Sequence, residues 1–425
     1  MIFDPRLIFI SIWSFEILAQ YLFGGIFGSF SNTTWVVVAI TIFSFLLGAQ
    51  FIDLTINDTV IKKNYLVSQI ECFFEKEVSV GFIYTTLVIF MMAAFVAIHE
   101  LLTITDVDNS VLRPFECLRL QIIIDLISDR EIAPIIKFFT FGIAACIFYL
   151  SRVKNNSKFQ IYLIMVLGIF CVLSTTGRLM LLMLFCAAAY LLYVQKVWGI
   201  KEIIFSIVCF IFLFFMIAII LNKQTADWTN NIKPCESRLC IVQNNTLKYK
   251  SLTASEPITL SNRLTWNAQS YFLSSLAAFN HFVITGSPNI EDGATLPNVI
   301  RKVINLTGTN IKMRPAVNPY VTTPLQSNTY TAMYPIYHDL GKVGVLVWFL
   351  MLGMLHQFLF KLSQCSQANI YKYLYAISIY PLCMIIFEEA YISSLGFWAI
   401  FLITPVLIQL LNIGWGKLAM FKINK

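Results

Sequence analysis

Ten stretches of this chain are long, apolar and nearly free of charge, and that pattern confines it to a bundle of helices in a lipid bilayer. A crossing needs about 20 mostly apolar residues. Stretches of that kind fall at 7–26, 35–52, 80–102, 134–151, 159–176, 179–195, 203–221, 341–360, 374–389 and 394–412. They are continuous runs, not short alternating ones, so helices rather than barrel strands must span. Only 12% of the 425 residues are charged and 58% are hydrophobic, against about 25% charged in soluble domains. No short leader with a small-residue cleavage site precedes the first run, which is expected to serve as a retained signal anchor. The expected fold class is all-α: a polytopic membrane helix bundle of about ten transmembrane helices with a large, partly helical periplasmic loop.

Lysines orient the bundle. The connections at 53–79 (Lys62, Lys63, Lys76), 152–158 (Lys154, Lys158), 196–202 (Lys196, Lys201) and 361–372 (Lys361, Lys372), and the tail with Lys417, Lys422 and Lys425, are all basic. With ten spans they share a side with the N-terminus, and that side is expected to be cytoplasmic. Both termini are then cytoplasmic. The chain divides into helices 1–7 (1–221), a large outer loop (222–340), and helices 8–10 with the tail (341–425). A connection as long as 222–340 must hold elements of its own. Ser261–Ile284 reads as a helix with an apolar face through Leu264, Ala268, Tyr271, Phe272 and Phe279, either on the membrane surface or dipping into it. No inverted repeat of the kind common in transporters is evident.

The net charge of +7 is spread along the chain without a basic tail, so no nucleic-acid partner is indicated; membrane lipid is. The arginines are segregated. Eight of the ten fall on the outer side, whereas twelve of the fourteen basic residues on the inner side are lysine. Lysine suffices to fix topology, while arginine offers a planar, permanently charged fork matched to phosphate oxygens. Free nucleotides are absent outside, so the bias points to an extracytoplasmic phosphorylated substrate, with a lipid-linked pyrophosphate as the natural candidate.

Arg178 follows Ser174-Thr-Thr-Gly177 in a tight turn between two spans, where it either snorkels to the interface or points into a polar cavity. Arg263, Arg301 and Arg314 lie in the large loop, and Arg113, Arg119 and Arg130 in the earlier one. Two or three of these would offset a pyrophosphate and stabilise it as leaving group, although any single one also suits a solvated surface. Asn328-Thr-Tyr330 leads through Tyr334-Pro335 to His338-Asp339 and on to Gly341 and Gly344. Aromatic residues there suit both a headgroup belt and stacking on sugar rings. His338 or Asp339 could accept a proton from a hydroxyl; alternatively Asp339 caps a helix beginning near Gly341. Glu388 and Glu389 end the ninth span, where proximity could raise one carboxyl into the general-base range, or both are solvated at the rim.

Other motifs carry less. Asp106-Val-Asp108 matches a nucleotide-sugar metal motif but lies on the wrong side for nucleotide sugars. Glu16 and His99-Glu100 read as bundle glue. No phosphate loop, nucleophile elbow or metal-ligand cluster is present in the sequence, so no metal or cofactor is expected. The ten cysteines are scattered, mostly as small hydrophobes; Cys235 and Cys240 either pair in an oxidising compartment or stay free.

Three features together resemble the Wzy family of bacterial O-antigen and capsule repeat-unit polymerases. They are Ser174-Thr-Thr-Gly-Arg178 entering a Leu-rich helix, a long outer loop late in the chain, and Asn328-Thr-Tyr330, Tyr334-Pro335 and Asp339-x-Gly341-x-x-Gly344 leading into a span. The related O-antigen ligases carry a histidine upstream of an acidic-x-Gly-x-x-Gly turn, where Asn328 stands here, which favours polymerase over ligase. The resemblance implies inverting glycosyl transfer at the periplasmic face of the bacterial inner membrane. A glycan on undecaprenyl pyrophosphate would pass to the non-reducing end of an incoming undecaprenyl-linked unit. It implies Arg178, Arg263 and Arg314 as pyrophosphate clamps, His338 or Asp339 as base, and Asn328 and Tyr330 on sugar. A chain-length regulator and a flippase of the same pathway are the implied protein partners. Alternatives are an O-antigen ligase, or a flippase that moves the lipid-linked unit without cutting it.

Overall fold

A computed structural model describes residues 2–57, 65–75, 78, 80–104, 134–152, 158–174, 178–220, 273–286, 295–309, 311, 318, 321–323, 326–327, 329–366 and 368–423. The described helices are α1 (Pro5–Phe23), α2 (Asn32–Thr55), α3 (Tyr65–Glu75), α4 (Val80–Ile104), α5 (Pro134–Leu150), α6 (Lys158–Ser174), α7 (Arg178–Val194), α8 (Ile200–Ile220), α9 (Ser274–Thr285), α10 (Asn298–Asn305), α11 (Met333–Cys365), α12 (Asn369–Met384) and α13 (Leu395–Ile423). A two-residue antiparallel pair, β1 (Val321–Thr322) with β2 (Gln326–Ser327), is the described strand structure. The fold is helical, as expected, and each of the ten apolar stretches coincides with a helix.

Four of these helices are long and apolar enough to cross a membrane: α1, α2, α11 and the Leu395–Gly414 part of α13. Shorter apolar helical segments lie at Gly81–Ala93, Phe138–Leu150, Lys158–Val172 and Met180–Val194. Two helices escaped the sequence reading. α3 and α10 are short and amphipathic, so neither leaves a 20-residue apolar run.

Local chemistry sets the helix starts. Asp4 caps α1 by accepting from the Arg6 N–H at 2.9 Å, with Pro5 in the first turn where its missing N–H costs nothing. Ser31 caps α2 by accepting from the Thr34 N–H at 3.1 Å. α11 begins at Met333, not near Gly341; Pro335 is tolerated because it too lies in the first turn. Gly341 breaks the helix regularity with φ 60° and ψ −154°, backbone that a residue with a Cβ adopts only at a cost. α12 stops at Met384, so Glu388 and Glu389 lie in the connection beyond it rather than ending the helix.

Between lipid-solvated helices the hydrophobic effect gives little drive, and close packing and hydrogen bonds take over. α2 and α11 pack along most of their length. A Cβ added at Gly48 would lie 2.0 Å from the Leu350 carbonyl oxygen, and one at Gly353 2.0 Å from that of Phe45. The two glycines thus let the backbones touch reciprocally. At one end of the bundle Arg6 holds Asp4 at 2.6 Å and Asp53 at 2.7 Å, and Lys361 reaches Asp53 at 3.2 Å. This joins α1, α2 and α11. Amphipathic α3 closes the same end: Glu71 accepts from Ser366, Gln409 reaches the Phe73 carbonyl at 3.0 Å, and Arg152 the Phe74 carbonyl. The N-terminus and three of the lysine-bearing connections therefore share one end.

Two apolar cores result. One joins α3, α5, α6, α7, α12 and α13, fastened by Tyr190 to Ser363 at 2.7 Å and Tyr373 to the Phe401 carbonyl at 2.7 Å. The other gathers α1, α2, α9 and the first part of α11 at the opposite end.

Candidate functional site

The second core carries the polar and aromatic groups that the sequence singled out around residues 330–339. α9 is buried along Ser274–Asn280, so this part of the expected 261–284 helix is packed inside protein, while Ile284 at its end is exposed. Residues 261–272 lie outside the described residues. Asn280 accepts from the Ser31 N–H at 2.9 Å and the Thr34 hydroxyl at 2.8 Å, fixing α9 to the start of α2. The Ser275 hydroxyl donates to Thr329 at 3.1 Å, and the Ala332 N–H to the Ile385 carbonyl at 2.9 Å. The turn entering α11 is therefore held by α9 on one side and by the end of α12 on the other.

On that frame the side chains of 330–339 form an aromatic nest. Tyr330 and Tyr334 stack at 4.1 Å and 24°. Phe282 meets Tyr334 edge-on at 5.0 Å and lies over the His338 ring at 5.4 Å and 26°. Tyr337 meets Phe279 edge-on at 5.6 Å. These contacts fix the imidazole plane.

The polar chain beneath it begins at Thr295. Its N–H donates to Asp339 Oδ2 at 2.7 Å and its hydroxyl to the same oxygen at 2.5 Å. Asp339 Oδ1 lies 2.8 Å from His338 Nδ1. The Asp339 side chain is 1% exposed and that of His338 12%. A buried carboxylate at this distance can accept from an imidazole N–H, and the contact sets how the ring is turned. Asp339 thus orients His338 and does not cap a helix.

Gly341 follows at once, and the sharp turn there lets the short helical segment carrying His338 depart from the long run of α11. Glu389 is 5% exposed. Its Oε1 accepts from the Tyr391 and Ile392 N–H groups at 2.8 and 2.9 Å, and Oε2 from those of Ile392 and Ser393 at 2.9 Å each. These bonds hold the turn that follows α12. Glu388 makes no hydrogen bond through its side chain among the described residues, and burial, with the adjacent Glu389 charge, pushes its carboxyl up to about 7.

Arg301 is 4% exposed, and its Nε donates to the Leu296 carbonyl at 2.9 Å, bracing the start of α10. Arg178 is the first residue of α7, but its side chain lies outside the described residues. Arg263, Arg314 and Asn328 lie outside them too, as do Arg113, Arg119, Arg130, Asp106, Asp108, Cys235 and Cys240. No disulfide joins the described cysteines to one another. Glu16 is fully buried in α1 and accepts from Gln20 at 3.0 Å, whose amide also reaches the Leu273 carbonyl at 2.8 Å. Gln20 thus joins α1 to the residue before α9, while the bond it donates to Glu16 stays within α1.

Thr295 and Phe282 were not singled out from sequence. A threonine in a polar loop carries no signal of a partner 44 positions away, and Phe282 looked like one more apolar residue of a helix.

An O-antigen polymerase of Shigella dysenteriae is 24% identical over 270 residues, covering 62% of this chain. The match spans 60% of that relative's length. No family model matches, and no solved structure matches. The relative supports the Wzy-type resemblance that the 328–344 motif carries.

Proposed function

We propose, proceeding from the supported likeness to Wzy-type polymerases, that this chain joins lipid-pyrophosphate-linked oligosaccharide repeat units into O-antigen or capsule polymer. The donor is a growing glycan on undecaprenyl pyrophosphate, and the acceptor is the non-reducing end of an incoming undecaprenyl-linked unit. The reaction belongs at the periplasmic face of the inner membrane, the end away from the lysine-bearing connections.

In the proposed step the acceptor hydroxyl oxygen attacks the anomeric carbon of the donor. The bond from that carbon to the pyrophosphate oxygen breaks, and undecaprenyl pyrophosphate leaves with the electron pair. The hydroxyl proton passes to His338 Nε2, a transfer that contributes about 10²–10⁴-fold when the base is well placed. Asp339 holds the ring and stabilises the imidazolium. Arg178, Arg263 and Arg314 clamp the departing pyrophosphate, and Tyr330, Tyr334 and Asn328 bind sugar. Arg301 and Glu389 support the loops beside the site, and Glu388 lies at its rim as a further proton-accepting group. A chain-length regulator and a flippase of the same pathway are proposed as partners.

The observation carrying this reading is the Thr295–Asp339–His338 chain of hydrogen bonds, set in an aromatic nest within the motif that bears the resemblance. The experiment is to reconstitute the full chain in proteoliposomes with a lipid-pyrophosphate-linked repeat unit. Polymer should appear, with one lipid pyrophosphate released per unit joined. Units that cross the bilayer uncut would instead assign a flippase, and transfer only to a lipid A core acceptor a ligase.

A further inference from the structure

α10 presents an apolar stripe to the outside of the protein. Ile300 is 39% exposed, Val303 58% and Leu306, at the helix end, 86%. At about 100° per residue the three fall along one side of the helix, while Arg301 points inward. Thr295, three residues before the helix, is bonded twice to Asp339. α10 is thereby held close to Leu340 and Val343, which are 51% and 74% exposed and begin the apolar surface that continues through Leu346 and Val347 on α11. Lys302 and Lys342 are also exposed here, one beside each apolar patch. An apolar stripe edged by amines, on a helix whose lead-in residue Thr295 is tied to the start of a membrane-spanning helix, is the pattern of a helix lying in a headgroup layer.

We infer that α10 is an interfacial helix seated in the leaflet on the His338 side, with Ile300, Val303 and Leu306 among acyl chains and Lys302 and Lys342 among lipid phosphates. Through Thr295 it sets the height of the His338–Asp339 pair relative to the bilayer surface. Its occupant is the phospholipid leaflet itself. This deepens the proposed function, because a base acting on lipid-anchored sugars must be held at a fixed distance above the anchor.

The test uses the full chain in vesicles of phosphatidylethanolamine and phosphatidylglycerol, without substrate. Benzoylphenylalanine is placed in turn at positions 303, 306 and 302, and lipid adducts are measured by mass after illumination. Positions 303 and 306 should give several-fold more phospholipid adduct than 302. Equal labelling at all three, or adducts to protein alone at 303 and 306, would overturn the inference. Because no substrate is present, failure here would leave the polymerase reading standing, and failure of polymerisation would not remove the adducts. As a second arm, Val303→Asp should lower polymer yield while Val303→Phe keeps it, both variants remaining monodisperse in detergent. Equal yields from the two would contradict the coupling through Thr295.

Discussion

The stretches of α11 before and after Gly341 belong to one helix yet obey different rules. From Lys342 onward the helix is fitted to α2 by size, with Gly353 against the Phe45 carbonyl and Gly48 against that of Leu350. Before Gly341 it is fitted by polarity and ring orientation, with Asp339 held by Thr295 and His338 under Phe282. Each part has a histidine. His356 is fully buried and meets the Tyr391 hydroxyl at 2.6 Å, whereas His338 meets a carboxylate. The difference teaches that a buried histidine becomes a candidate base through its acidic orienter and its place at a rim, not through burial.

The comparison breaks first at the glycines. Gly353→Val forces the α2 and α11 backbones apart and should cost about 3 kcal/mol or more, read as loss of monodisperse protein. Gly396→Ala, with open space around its added methyl, should leave yield unchanged. Equal yields would show that the close approach is not needed.

Gly341→Ala acts next. The strained backbone costs roughly 1–3 kcal/mol, and relaxing it should turn His338 away. Polymerisation should fall by more than melting does, and the reverse ranking would make Gly341 a purely structural hinge.

Asp339→Asn removes a charge-assisted hydrogen bond, about 1.5–3 kcal/mol, so polymerisation should drop roughly 10- to 100-fold with little loss of protein. Normal polymer from this variant would deny Asp339 the orienting role.

The smallest effect is at Glu388. Its carboxyl in the folded chain is raised to about 7, above the usual carboxylate range, so the folded state keeps a proton that the unfolded chain gives up. Stability from this group is present below the unfolded value and is lost as pH rises through about 7. Glu388→Gln should therefore flatten the fall in melting temperature between mildly acidic and mildly alkaline buffer by a few degrees. An unchanged slope would mean that Glu388 titrates as an ordinary surface carboxylate.

Helices with long apolar runs were readable because about 20 apolar residues announce themselves regardless of partners. α3 and α10 were not, since a short amphipathic helix draws its stability from tertiary packing rather than from its own sequence. The His338–Asp339 pair was visible as neighbours in a motif, but the contacts that hold the two side chains were not. They come from Thr295, delivered from another loop, and from Phe282 on α9. The glutamate pair was legible as a pair, while which one is locked depended on the N–H groups of Tyr391, Ile392 and Ser393.

The most direct measurement compares His338→Ala with His356→Gln in the full chain, as initial polymerisation rates in proteoliposomes. The account predicts a loss of about 10²–10⁴-fold for His338→Ala and no more than a several-fold loss for His356→Gln, both proteins folded. Near-normal rates from His338→Ala, or a larger loss from His356→Gln, would contradict it.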